Sequence, residues 1–498
     1  MKDRLSLIET DKSREECGVF GIYLHPDLAH NGIVEMALGC ALNNQHRGEE
    51  SCGVCVSDGY SLWPPIKRMG LIKDLYADYK KEKKEHGGLY GQIAIVHNRY
   101  STTGSSNIEN AAPFRFDTNL GVMAVAHNGN ITNASQLKAE LFKKGVTFSS
   151  TTDSEVIGAL ISTSQGDTWR EKISGALEKL EGSFSLIIST TDKLFAARDR
   201  HGVRPLSVGS FSADGKKCFA VSSETAALSP LQVEEIYDVA AGELLEINSE
   251  GVGHGRFAPK QESSLCGLEI AYLMRPDSSI RKTQMDTVRR FLGGKLAEIC
   301  PPTSNVDLVT YIPESSRPAA EGYAQKLGLP TATSMIKGRY GTLNGSVRGF
   351  INPNEKERQG VARNYHVFDV VKGKDIVLTD DSIIRGNTTR GVIKVLREAG
   401  VGKIHLRIIF PPVVGYCPLG TDINEKDFLV AREFGSDISA IAKYIGVDSL
   451  GYLNPSQYSL AMSEVLGENV GLCLGCVTGK YPVGKFQIDK LIFEADIK

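Results

Sequence analysis

The sequence predicts two domains of different class, an α+β domain followed by an α/β domain with a parallel sheet. With 498 residues, 41% hydrophobic and 23% charged, the chain is long enough for two or three globular domains. Many short strands with a few helices fill the first half, whereas strands and helices alternate from Leu268 onwards. The polar, glycine-containing stretch 251–264 between the two patterns predicts a linker. We therefore divide the chain into a leader (1–16), a first domain (17–255), a second domain (256–465) and a C-terminal tail (466–498).

The first predicted strand begins at a cysteine. Cys17 opens the alternating apolar run 17–22, and the charged residues 1–16 before it lack the apolar core of a secretory signal or a membrane anchor. If this leader is removed, the new α-amino group of Cys17, with a pKa of ~7.7, can act as the base for the thiol. Most lone cysteines are small core residues, so this interpretation depends on other segments.

Four further polar segments follow in the first domain. Gln-His-Arg-Gly-Glu-Glu at 45–50 predicts a turn, and Thr152 is the expected N-cap of a helix that starts with Asp-Ser-Glu. The segments 97–104 and 126–130 follow predicted strands at 93–96 and 121–125. Together and in this order, the segments resemble the glutaminase domain of N-terminal-nucleophile (class II) amidotransferases, which implies an α+β fold of sandwiched β-sheets.

The resemblance implies a role for each polar group. Cys17 would attack the side-chain amide of glutamine, while Asn128 and the Gly129 N–H would form the oxyanion hole. Arg99 would bind the substrate α-carboxylate, which suits a planar bidentate donor, and Asp153 would bind the α-ammonium. For Arg99 alone a surface salt bridge is equally compatible with the sequence. We expect His97 and His127 to be structural.

The second domain contains the longest motif of the chain. The apolar run 376–378 predicts a buried strand that ends in two adjacent carboxylates. After a turn of small and polar residues, Val392, Leu396 and Ala399 predict a helix with Gly400 as its C-cap. A strand, a short turn and a helix N-terminus form a phosphate cradle, and carboxylates beside it suit a polyol or Mg²⁺. The motif resembles the PRPP-binding motif of type I phosphoribosyltransferases, with the residues Asp380, Asp381, Ser382, Arg385, Gly386, Asn387, Thr388 and Thr389.

A second strand of this domain is predicted at 306–312. It ends in Pro-Glu-Ser-Ser at 313–316, and ligands of parallel sheets bind where the strands end. The resemblance makes 313–316 the pyrophosphate loop and places Ser315 near Mg²⁺, together with Asp380 and Asp381. A plain helix N-cap before the helix 317–326 remains an equally compatible role for Ser315.

The two domains in this order resemble the glutamine phosphoribosylpyrophosphate amidotransferases, or amidophosphoribosyltransferases. The reaction implied converts glutamine, PRPP and water to 5-phosphoribosylamine, glutamate and pyrophosphate, which begins de novo purine synthesis. The family also suggests homotetramers and inhibition by purine nucleotides. Two alternatives stay open, a diverged amidotransferase with another acceptor and an inactive paralogue that senses PRPP or nucleotides.

The ten cysteines predict one further site. Cys473 and Cys476 form a CxxC motif, which alone is compatible with zinc, an iron–sulfur cluster or redox chemistry, although no thioredoxin-like context surrounds it. Cys266 and Cys417 stand where the cluster-bearing branch of the family, which also has a cleaved leader, carries its other ligands. The resemblance therefore implies a [4Fe–4S] cluster held by these four thiolates.

Some features depart from the family pattern. Glu49 replaces a usual glutamine, and the stretch from Lys337 to Phe350, which starts a flexible loop, is longer than expected. The loop 339–363 is predicted to act as a mobile, basic lid over PRPP. The formal charge of −2 argues against nucleic-acid binding, no apolar run approaches the ~20 residues needed to span a bilayer, and we expect a cytoplasmic protein.

Overall fold

A computed structural model describes residues 17–100, 106–337, 365–468 and 470–484. The leader (1–16) and the whole of the predicted lid (339–363) lie outside these ranges. Within them, no helix combines the length and the apolar character that crossing a membrane requires.

The first domain contains two stacked antiparallel sheets. The first sheet has the order β11-β9-β10-β1-β4-β2-β3. Its strands are β1 (Gly18–Tyr23), β2 (Ser51–Ser57), β3 (Ile66–Met69), β4 (Ile93–Arg99), β9 (Ser207–Ala213), β10 (Lys216–Ser222) and β11 (Glu235–Asp238). The second sheet has the order β13-β12-β8-β7-β6-β5. Its strands are β5 (Phe114–Thr118), β6 (Gly121–Ile131), β7 (Gly182–Ser189), β8 (Leu194–Arg198), β12 (Glu243–Asn248) and β13 (Gly251–Arg256).

Alternating apolar residues explain why the two sheets stack. Val19 and Ile95 of the first sheet pack on Ala126, Ile187 and Leu245 of the second in one buried cluster. Residues on the opposite faces of the strands pack under helices, because successive side chains of a strand point to opposite faces. These helices are α1 (Ile33–Ala41) and α2 (Ile72–His86) on the first sheet, and α3 (Ala134–Lys143), α4 (Asp153–Thr163) and α5 (Trp169–Leu177) on the second. The predicted fold of sandwiched β-sheets is confirmed.

The second domain has a parallel sheet in the order β17-β20-β21-β22, as predicted. Its strands are β17 (Leu308–Tyr311), β20 (Ile376–Asp380), β21 (Ile404–Ile408) and β22 (Ser449–Tyr452). Apolar clusters lie on both faces, and strands buried on both faces read as continuous apolar runs. The helices are α6 (Met285–Ile299), α7 (Arg317–Leu327), α8 (Asn387–Glu398), α9 (Val430–Glu433), α10 (Ile438–Ile445), α11 (Pro455–Leu466) and α12 (Gly475–Thr478).

Three short strand pairs complete the second domain. Leu265–Cys266 (β14) pairs in parallel with Leu472–Cys473 (β23) of the tail. The other two pairs are antiparallel, Ser279–Ile280 (β15) with Thr283–Gln284 (β16) and Met335–Lys337 (β18) with Tyr365–Val367 (β19). A π-helical turn, Glu269–Leu273, follows β14 and leads into the domain.

Several element boundaries differ from those predicted. Strand β6 continues beyond residue 125 to Ile131, because 124–131 pair in unbroken register with β7. The start of the predicted linker, 251–256, forms β13 and pairs with β12, so the interpretation of this part as a linker was wrong. Helix α8 ends at Glu398, and Gly400 follows with a φ of 83°, a left-handed conformation that glycine adopts easily.

Candidate active site

Cys17 lies directly before β1, at the edge of a pocket. Its Sγ donates a hydrogen bond to the Tyr100 carbonyl at 3.4 Å and accepts one from the Tyr100 N–H at 3.5 Å. The side chain is buried, and burial raises the pKa of the thiol to about 11, although the nearby Arg99 partly opposes the shift. In the chain that still carries its leader, the thiol is therefore protonated near neutral pH.

The pocket brings together residues from β4, β6 and α4 that are distant in sequence. Cys17, Arg99, Gly129 and Asp153 all line it, as the glutaminase resemblance implies. Asn128 is fully buried beside Gly129 but is not among the lining residues. Neither Nδ2 nor Oδ1 of Asn128 has a hydrogen-bond partner among the described residues, which is unusual for a buried amide.

Gly129 has no room for a side chain. Its φ is 148°, and a Cβ at this position would lie 2.1 Å from the Ser183 carbonyl oxygen of β7. Only glycine fits this approach between the two strands, since any side chain would displace the backbone of β7. The close approach holds the Gly129 backbone at the pocket wall.

Two oppositely charged residues face the pocket. Arg99 is buried, so its interpretation as a surface salt bridge was wrong, and it contacts the Glu50 carboxylate. Asp153 starts α4, and its Oδ2 accepts a hydrogen bond from the Ile131 N–H at 3.0 Å. A cation and an anion in one small pocket suit the two charged ends of an amino acid.

The two histidines of this region are engaged in the framework. His97 Nε2 lies 2.8 Å from the His127 carbonyl oxygen, and His127 Nδ1 lies 3.1 Å from Ser154 Oγ. Burial lowers the pKa of His97 to about 3 and also lowers that of His127, so both are neutral near pH 7. Both histidines also line the pocket, so the structural role that we expected for them stays a prediction.

The motifs of the second domain meet where β17 and β20 end. Asp380 and Asp381 are fully buried, and Ser315 Oγ donates to Asp381 Oδ2 at 2.5 Å. The N-cap of α7 is Ser316 rather than Ser315, and its hydroxyl donates to the Ile312 carbonyl at 2.6 Å. The N-cap interpretation of Ser315 was therefore wrong, and this hydroxyl faces the carboxylate pair.

The rest of the motif leads into α8. Gly386 is the N-cap with a φ of 82°, and Asn387, Thr388 and Thr389 form the first turn at the positive end of the helix dipole. Ser382 Oγ donates to Asp381 Oδ1 at 3.0 Å. Arg385 is paired in this structure, with its Nη2 at 2.5 Å from Asp427 Oδ2.

The four cysteines of the predicted cluster site lie on three segments of the chain, which are paired through their main chains. Cys266 lies opposite Cys473 in the β14–β23 pair, and the N–H groups of Val414 and Gly415 donate to the Cys476 carbonyl at 2.9 and 2.8 Å. Burial, with a smaller contribution from the neighbouring Cys417, raises the pKa of Cys473 to about 12. In the described parts of the chain, no group of three or more His, Cys, Asp and Glu is arranged to hold a metal ion.

A segment of the second domain, 417–424, contacts residues that line or flank the glutaminase-like pocket. Pro418 O accepts a hydrogen bond from Asn130 Nδ2 at 2.9 Å, and Leu419 O accepts one from Ser183 Oγ at 2.7 Å. Tyr100, which contacts the Cys17 thiol, donates through its hydroxyl to Asp422 Oδ2 at 3.0 Å. Sequence reasoning gave this segment no role beyond Cys417, because its partners lie far away in the chain.

Comparisons with known proteins cover both domains. Residues 97–230 match a family model described as a glutamine amidotransferase domain. An amidophosphoribosyltransferase of Synechococcus elongatus is 37% identical, with 98% of this chain and 96% of the relative covered. One of Bacillus subtilis is 36% identical, with 97% of each chain covered.

Two solved structures extend the similarity to the fold. A glutamine PRPP amidotransferase from B. subtilis complexed with ADP and GMP has a TM-score of 0.83 at 35% identity, with 95% of this chain and 98% of that chain covered. A structure described as the allosteric regulatory enzyme of purine biosynthesis has a TM-score of 0.84 at 34% identity, with 96% and 98% covered.

Proposed function

Since the chain belongs to the amidophosphoribosyltransferase family, we propose that its two pockets carry out the two halves of one reaction. This enzyme makes 5-phosphoribosylamine from glutamine and PRPP, the first committed step of purine synthesis. The pocket around Cys17 would release ammonia from glutamine, and the crevice at β17 and β20 would use it to displace pyrophosphate. The observation that carries this assignment is the joint lining of one pocket by Cys17, Arg99, Gly129 and Asp153.

In the first half, Cys17 is the nucleophile. The buried thiol is protonated near neutral pH, so it needs a base, and the α-amino group exposed by leader removal supplies one. The thiolate sulfur attacks the side-chain carbonyl carbon of glutamine, ammonia leaves with the proton, and water then hydrolyses the thioester. Arg99 and Asp153 hold the charged ends of glutamine, and the unsatisfied amide of Asn128 with the Gly129 N–H stabilises the oxyanion.

In the second half, the crevice binds PRPP. The first turn of α8, Asn387–Thr389, receives the 5-phosphate, while Asp380 and Asp381 face the ribose. Ammonia attacks C1 of the sugar from the opposite side as pyrophosphate leaves. The protein contributes mainly position and charge, as in other transfers of this type.

The donor set of the crevice fits Mg²⁺. Two adjacent buried carboxylates with a hydroxyl at 2.5 Å are hard oxygen ligands of the kind that Mg²⁺ prefers. We propose that Asp380, Asp381 and Ser315 hold the ion, directly or through water. A bound Mg²⁺ would neutralise charge on the pyrophosphate.

We propose that Cys266, Cys417, Cys473 and Cys476 hold a [4Fe–4S] cluster, because four Cys thiolates are the usual ligands of such clusters. The four residues come from three segments joined by β14–β23 and by main-chain hydrogen bonds. Burial raises the pKa of Cys476, and the nearby Cys417 and Cys473 contribute to this shift, which supports their proximity. The site would tie the tail to the domain junction.

We further propose purine nucleotides as feedback inhibitors, because the similar B. subtilis enzyme was solved with ADP and GMP. We also propose a homotetramer, on the family resemblance, and a cytoplasmic location. None of the ten cysteines, all of which lie in the described ranges, is assigned to a disulfide, as is usual where thiols are kept reduced.

One assay with two variants tests whether the two sites carry out separate halves of the reaction. Cys17→Ala should abolish synthesis from glutamine but retain synthesis from ammonia at high pH, because the thiol is needed only to release ammonia. Asp381→Asn should weaken PRPP use by tens-fold or more with either nitrogen source, since a charge-assisted hydrogen bond is worth roughly 1.5–3 kcal/mol. Equal loss of both activities in Cys17→Ala, or unchanged PRPP kinetics in Asp381→Asn, would contradict the proposal.

A further inference from the structure

Four charged side chains are buried together at the junction of the two domains. Arg47, Arg204 and Glu224 belong to the glutaminase domain and Glu269 to the phosphoribosyltransferase domain, and each is at most 2% exposed. Arg47 Nη1 lies 2.6 Å from Glu224 Oε1, and Arg47 Nη2 contacts Glu269 Oε1. Arg204 Nη1 lies 3.0 Å from Glu269 Oε2, so Glu269 bridges two arginines of the other domain.

Arg47 also contacts the residue proposed as the nucleophile, Cys17. Arg47 Nε donates to the main-chain carbonyl of Cys17 at 3.2 Å. A guanidinium is a rigid planar fork, so fixing its two Nη atoms also fixes the direction in which Nε donates. The orientation of the Cys17 backbone, and with it that of the thiol and of the prospective α-amine, therefore depends on both carboxylates.

The two carboxylates hold different arms of Arg47. Glu224 is itself anchored, because its Oε2 accepts from Ser278 Oγ at 2.7 Å and from the Arg275 N–H at 2.9 Å. Glu269 holds the remaining Nη2 arm, from the first residue of the π-helical turn Glu269–Leu273. Such turns frequently lie at functional sites. Glu269 thus adds a second carboxylate contact to the one that Glu224 makes with this guanidinium.

We propose that Glu269, although it belongs to the phosphoribosyltransferase domain, is a positioning residue for the glutaminase nucleophile and acts through Arg47. This inference rests on the proposed role of Cys17. It predicts that a change at Glu269, which lies in the phosphoribosyltransferase domain, slows glutamine hydrolysis in the glutaminase domain.

The test uses Glu269→Gln and Glu269→Asp in the full-length enzyme, with glutamine hydrolysis and ammonia-dependent synthesis measured on the same preparation in the presence of PRPP. Glu269→Gln should lower kcat for glutamine hydrolysis at least tenfold, because a displacement of ~1 Å at a reacting group can cost ~100-fold. Ammonia-dependent synthesis should stay within about twofold. Glu269→Asp, which keeps the charge on a shorter arm, should restore part of the loss.

A second readout separates positioning from general structural damage. The rate at which a glutamine-like electrophile alkylates Cys17 should fall in Glu269→Gln and recover partly in Glu269→Asp. Asp238→Asn is the matched control, since Asp238 Oδ2 accepts from the Arg281 N–H at 2.8 Å across the same junction without touching Arg47. This control should leave both activities and the alkylation rate unchanged.

Two results would overturn the proposal. One is an equal fall of glutamine- and ammonia-dependent activities, and the other is an unchanged alkylation rate in a folded Glu269 variant. If Glu269→Gln fails to fold, Glu269→Asp supplies the same comparison. Glutamine hydrolysis that survives in Cys17→Ala would instead reject the assignment of the nucleophile, which distinguishes the two failures.

Discussion

The thiol of Cys17, the proposed nucleophile, lies in an environment that suppresses its ionisation. The thiol is buried next to the Tyr100 main chain, and its pKa of about 11 leaves little thiolate near neutral pH. The sequence predicted that Cys17 lies directly before a strand, and its role as the nucleophile stays a proposal. The sequence could not predict the suppression, which arises from burial by residues far away in the chain.

We expect the alkylation rate of Cys17 to report this state. In the leader-bearing chain, the iodoacetamide rate should rise about tenfold per pH unit to near pH 11, because a raised pKa lowers the thiolate fraction at every lower pH. Removal of the leader should move the midpoint towards the α-amine range near ~8. The measurement is modified Cys17 by peptide mass against pH, and a plateau already at pH 8 with the leader attached would contradict it.

At the scale of the element, strand β6 carries the proposed oxyanion-hole residues, Asn128 and Gly129, within its regular pairing with β7. The sequence predicted only 121–125 as strand, since the polar residues that follow resemble a loop. Pairing with β7 overrides this local preference and extends the strand to Ile131. Ser183 of β7 then lies so close to residue 129 that only glycine is tolerated.

Gly129→Ala should therefore disturb both stability and glutamine use. A Cβ at 2.1 Å from the Ser183 oxygen in a left-handed backbone should lower the free energy of unfolding by roughly 2 kcal/mol or more. Gly39→Ala in α1 is the control, because no atom lies within 4 Å of a Cβ at this position. In an exposed helix, alanine is more stable than glycine by roughly 0.5–1 kcal/mol. Denaturant unfolding of both variants tests this, and equal stabilities would contradict the close approach.

The whole molecule joins an α+β fold and an α/β fold, as the sequence predicted. The sequence predicted that the motifs after β17 and β20 lie together, because the ends of parallel strands meet at one edge of a sheet. Ser315 and Asp381 are hydrogen-bonded there. The contacts between domains were not predictable, since Arg47 and Glu269 are 222 residues apart and Tyr100 and Asp422 are 322 apart. The name shared by the relatives supports the amidotransferase with PRPP as acceptor rather than another acceptor or an inactive sensor.

A cluster at the junction should be visible in the whole protein. Anaerobically purified enzyme should be brown and contain about four irons per chain. Cys473→Ser should bleach it and lower its thermal stability, because metal binding contributes folding energy. Cys300→Ser is the control, as Cys300 lies outside the four-cysteine site and donates to the Tyr452 carbonyl at 3.5 Å. A colourless, iron-free and equally stable wild-type protein would contradict the cluster.

The contacts of segment 417–424 limit how the two domains can be exchanged between related proteins. The segment supplies main-chain carbonyls to Asn130 of β6 and Ser183 of β7, so contacts that support the glutaminase pocket are encoded in the other half of the gene. Exchange of one domain alone would break these contacts. Hybrids assembled from two relatives should hydrolyse glutamine only when the glutaminase half travels with segment 417–424 from the same parent.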